Sequence, residues 1–194
     1  MKIVKWSELN QETGPFYDIL RDDASPYSED PRQLGCGPKS FLNLITLLQK
    51  RRGIHEQQTN QEIAEEVVRE LKQNEKLSVS VIEVGNFVDR SPYFNGTRVF
   101  CFNLKATAPD VGQTILLRRL LEGQIALLFL EVPEWEQEAP KKQGNHLAVL
   151  HSEGSEIFID GLKIDWETLL HVLYYSPVNM AWIFSLDPRQ SEAE

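Results

Sequence analysis

The chain has 194 residues, a formal net charge of −9 and 41% hydrophobic residues. That length suits one domain whose core needs no covalent staple, and the ordinary balance of apolar and charged residues excludes global disorder. The acidic surplus argues against nucleic acid or an anionic membrane as partner, since both recruit an excess of lysine and arginine; a peptide or protein substrate is compatible with it.

Residues 1–35 are polar and turn-rich, with DDASPYSEDPRQLG before the first apolar stripe, and read as an irregular segment on the surface. The opening MKIVKWSELNQETG shows no apolar signal-peptide core and no small-residue cleavage site. The longest apolar run, Ile125 to Leu130, is far too short to span a bilayer. A cytoplasmic, reducing location is therefore the expectation. Two cysteines make no disulfide framework and stand at no metal-ligand spacing, so neither metal nor cofactor is expected.

The first helix is predicted immediately after Cys36. Phe41, Leu44, Ile45 and Leu48 repeat at helical spacing, Pro38 suits the first turn, and Lys50-Arg51-Arg52-Gly53 is a good stop. A second helix is predicted from the capping box Thr59-x-x-Glu62 through Ile63, Val67 and Leu71. SVSVIEVGNFVDR fits helix or strand, and TRVFCFNL fits a strand. A helix is expected from Gln113 to Leu121, ended by Gly123, followed by a strand over 125–132. HLAVL (146–150) and EIFID (156–160) read as a hairpin about a turn at His151–Ser155. A helix over 165–175 with Asp165 as N-cap, and a closing strand over 179–186, complete the pattern. Helices first and strands afterwards predict an α+β domain over residues 36–188, its N-terminal helices packed on a C-terminal antiparallel sheet, with 189–194 a solvated tail.

Cys36 carries the chemistry in this reading. A cysteine at a helix N-terminus faces unpaired N–H groups and the positive end of the helix dipole, and both favour the thiolate over a thiol of ordinary pKa about 8.5. Gly35 and Gly37 leave room for a substrate carbonyl, and the Cys36 N–H can donate to a developing oxyanion. The other thiol, Cys101, stands between two phenylalanines and reads as a core residue. A thiolate nucleophile needs a base, and a base needs a partner that fixes its tautomer. Of the four histidines, His146 opens an apolar strand directly after the polar KKQGN, whereas His55 falls in a polar loop, His151 in the hairpin turn and His171 on the last helix. A turn centred on residue 153 sets Asp160 across the ladder from His146. Asp160 before Gly161 is also an ordinary turn aspartate, and Asp165 is explained by capping alone. The loop Val132 to Gln143, with Trp135 and three acids, is a candidate substrate rim, and Asn145 stands beside the base.

Cys-Gly-Pro at the head of an apolar helix, an apolar strand leading into an acidic loop, Gly-x-His-x-x-Val, and a strand closed by Asp resembles the double-glycine peptidases, the papain-like enzymes that cut bacteriocin leader peptides. The resemblance spans residues 33–48 and 121–186. It implies a papain-like fold and a Cys36–His146–Asp160 triad that attacks an amide carbonyl and forms a thioester. In the family an oxyanion glutamine stands six residues before the cysteine. Here that position is Asp30, and Gln33 is the amide nearest to hand. The family's Asp-Pro is Asp160-Gly161 here. Related families, phytochelatin synthases among them, pass the acyl group to another acceptor. The resemblance therefore leaves two alternatives beside a peptidase: an acyltransferase, and a papain-like domain that binds peptide with weak or no catalysis.

Overall fold

The structure is a computed structural model that describes residues 36–54, 80–103, 109–131, 145–175 and 178–186, with 62–63, 66–67 and 69–70 between them. The chain divides into two compact units: the described residues of one are those from 36 to 97 together with Leu186, and those of the other run from 98 to 185.

The first unit is helical. Helix α1, Cys36–Arg51, buries Phe41, Leu42, Leu44, Ile45, Leu47 and Leu48, the stripe that the helical spacing predicts. Its end is a Schellman motif: the Ile54 N–H reaches the Gln49 carbonyl at 3.1 Å, the Gly53 N–H reaches Lys50 at 3.2 Å, and Gly53 takes a φ of 65°. Residues 62–63, 66–67 and 69–70 are helical, and Ile63 and Val67 are fully buried as expected for the inner face of the second predicted helix. Thr59 and Leu71 lie outside the described residues. Helix α2, Val81–Arg90, resolves the ambiguous stretch, because Ser80 accepts from the Glu83 N–H while the Glu83 carboxylate accepts from the Ser80 N–H. Val84, Phe87 and Val88 are its buried face. Phe87 packs on Phe41 at 4.3 Å between ring centroids and on Phe94 at 6.1 Å. The Tyr93 hydroxyl donates to Glu66, and burial followed by that carboxylate pushes the Tyr93 pKa above its ordinary value.

The second unit is a six-stranded sheet with two helices. In chain order its elements are β1 (Thr97–Asn103), α3 (Pro109–Leu121), β2 (Ile125–Glu131), β3 (Asn145–Glu153), β4 (Glu156–Ile159), β5 (Leu162–Ile164), α4 (Trp166–Tyr175) and β6 (Val178–Leu186). The strands lie in the order β1-β6-β2-β3-β4-β5, and β2–β3, β2–β6, β3–β4 and β4–β5 pair antiparallel. The α+β class with an antiparallel sheet agrees with the sequence pattern. Helix α3 begins four residues before the predicted Gln113, with Pro109 in the first turn where a missing N–H costs nothing. The three-residue β5 was not visible in the sequence.

One face of the sheet and both helices share a core. Ala126, Leu128 and Leu130 of β2, Ala148 and Leu150 of β3, Ile157 and Ile159 of β4, and Ala181 and Ile183 of β6 pack with Leu116 and Leu120 of α3 and Leu169 and Leu173 of α4. Their period of two on the strands, and of three or four on the helices, is what places them there. Ile125, Leu127 and Phe129 alternate with them along β2 and are also buried, so the central strand reads as one continuous apolar run. The Ser152 hydroxyl donates to the Leu120 carbonyl at 2.7 Å and ties the end of α3 to β3. Among the described residues no helix is long and apolar enough to cross a membrane.

Candidate functional site

Cys36 is the first residue of α1, a helix of 16 residues with no acidic side chain in its first turn. The sequence therefore puts the thiol-bearing residue at the positive end of a four-turn helix dipole, with no acidic residue in the helix's own first turn. Gly37 beside it is buried. Ser40, one turn further on, is buried as well. Gln33, Gly35, Asp30, Trp135 and His55 lie outside the described residues.

His146 is the second residue of β3, at the end of the strand that receives the chain from the 132–144 connection. Ladder pairing sets Leu130 opposite His146 and Glu131 opposite Asn145, so both ends of that connection meet at the histidine's end of the sheet. A register shift between Phe129 and Leu130 in the β2–β6 ladder falls on the residue paired with His146. Such irregularities locally increase twist and re-aim a strand end.

The expected pairing of Asp160 with His146 is not what the ladder shows. Strand β3 continues through His151, Ser152 and Glu153, and the turn is only Gly154-Ser155, with Gly154 at a φ of 61°. Leu150 faces Ile159 and Glu153 faces Glu156. The two-residue turn moves the hairpin's centre outward from residue 153, so Asp160 arrives opposite Val149, three residues along from His146. There the Asp160 N–H donates to the Val149 carbonyl at 2.8 Å, and Asp160 Oδ1 accepts from the Val149 N–H at 2.8 Å. Asp160 has a φ of 49° and is the one described non-glycine residue with positive φ, followed by Gly161 at 83°. Asn and Asp tolerate that left-handed conformation better than other residues. The carboxylate here stands in the ladder position of a main-chain carbonyl.

Two further expectations are corrected. Cys101 lies on a strand as predicted, but it is exposed rather than in the core, because β1 is the outermost described strand on its side of the sheet. Phe100 next to it is 40% exposed and lies under the Arg119 guanidinium, 5.3 Å from the ring centroid. His151 is not in a turn. It sits within β3, buried, with its ring stacked on Phe158 at 5.0 Å and Nε2 3.9 Å from a Glu153 carboxylate oxygen. The capping role read for Asp165 holds: its Oδ1 accepts from the Thr168 N–H at 2.6 Å, and that bond lowers its pKa. Among the described residues no group of histidine, cysteine and carboxylate side chains is arranged to hold a metal ion.

No protein-family model, curated protein or solved structure matches this chain.

Proposed function

We propose that the chain is a papain-like cysteine hydrolase acting on an amide bond of a peptide or protein, with Cys36 as nucleophile, His146 as general base and Asp160 in support of the histidine. The observation that carries this reading is Cys36 as the opening residue of α1, free of acidic neighbours in the first turn. Unpaired N–H groups and the dipole lower the energy of a thiolate at that position, and a nucleophile so activated is what acyl transfer through a thioester needs. His146 at the mouth of an apolar strand, with a register irregularity opposite it, is the histidine best suited to act as base. Attack by the sulfur on the amide carbon gives a tetrahedral oxyanion, for which the Cys36 N–H and the Gln33 amide are the donors in this reading. The imidazolium then protonates the departing amine, and water releases the acyl group from the thioester. Gly35, Gly37, Trp135 and Asn145 belong to the substrate side. A reducing cytoplasmic compartment, where free thiols persist, goes with this proposal.

The test uses a Cys101→Ser background, in which Cys36 is the sole thiol. Alkylation by iodoacetamide is followed by intact mass from mildly acidic to alkaline pH. The expected result is rapid labelling well below the ordinary thiol pKa of about 8.5, shifted up toward that value by His146→Ala. Incubation with a mixed peptide library should yield cleaved products that Cys36→Ala abolishes. Labelling of Cys36 no faster than a free thiol, together with an intact library, would overturn the reading.

A further inference from the structure

We draw no further inference here: the strongest candidate, the exposed apolar stripe of Trp166, Leu170 and Tyr174 along α4, carries nothing because no feature of the described residues shows what covers it.

Discussion

Arg52 leaves the end of α1 and holds the chain some forty residues on. Nη1 donates to the Tyr93 carbonyl at 3.0 Å, and Nη2 donates to the Asn95 carbonyl at 2.7 Å and to the Thr97 hydroxyl. Burial pulls its pKa below the usual arginine value, and its Nε is buried with no hydrogen-bond partner among the described residues. These contacts require a planar fork, which a lysine ammonium cannot reproduce. Arg52→Ala is expected to lower the free energy of unfolding by about 1–3 kcal/mol, the range for losing hydrogen bonds from a charged donor, with Arg52→Lys recovering little of it. Urea denaturation of the two variants against the parent measures this. The same scale shows how residue roles diverge from residue types. Asp160 and Asp165 are both turn aspartates, yet one closes a ladder with its carboxylate and the other caps a helix. Of the two cysteines, one opens a helix with a buried apolar stripe and the other is exposed on an outer strand.

Helix α4 gives the clearest case at the scale of an element. The Asp165 carboxylate accepts from the Thr168 N–H, and this bond holds its pKa below the ordinary aspartate value. The sign follows from linkage: a carboxyl with a lowered native pKa stabilises the fold above its unfolded value of about 3.9 and loses that contribution as pH falls through the native value. Acidification through that window should therefore speed exchange at the first turn of α4, read at the Leu169 amide that bonds the Asp165 carbonyl. Asp165→Asn, which keeps a capping oxygen but does not titrate, should remove this dependence. Elements of this kind were legible because their signals are local. The α1 stripe, its glycine stop, the α4 cap and the apolar run of β2 all declare themselves within one or two turns of chain. The box at Ser80 and Glu83 was equally available, and it would have decided between helix and strand for 81–90. What the sequence hid was set by distant pairing. A strand that runs three residues further before a Gly-Ser turn slides Asp160 past its expected neighbour, and the Gly-Ser dipeptide was the available cue. The exposure of Cys101 depends on β1 lying at the margin of the described sheet, which no local pattern of VFCFN reveals.

Among its described residues, the second unit concentrates its apolar mass on the sheet's middle strands. Leu128 is fully buried, pairs with Ala148 on one side and Ala181 on the other, and belongs to the core shared with α3 and α4. Two alanines as neighbours leave little side-chain mass to relax into a vacated volume. Leu128→Ala is accordingly expected to cost about 2–5 kcal/mol, as thermal or denaturant unfolding would measure. The strand order carries a consequence for synthesis. The last described strand, β6, lies between β1 and β2, the first two in the chain. A nascent chain still short of Val178 has β2 through β5 but no neighbour on the open side of β2, whose residues are all apolar from Ile125 to Leu130. Until the ribosome has released β6, that side is an unpaired hydrophobic strand edge of the kind that recruits chaperones or aggregates. Chains arrested before that point should be sticky, however early the hairpins of β2 to β5 form.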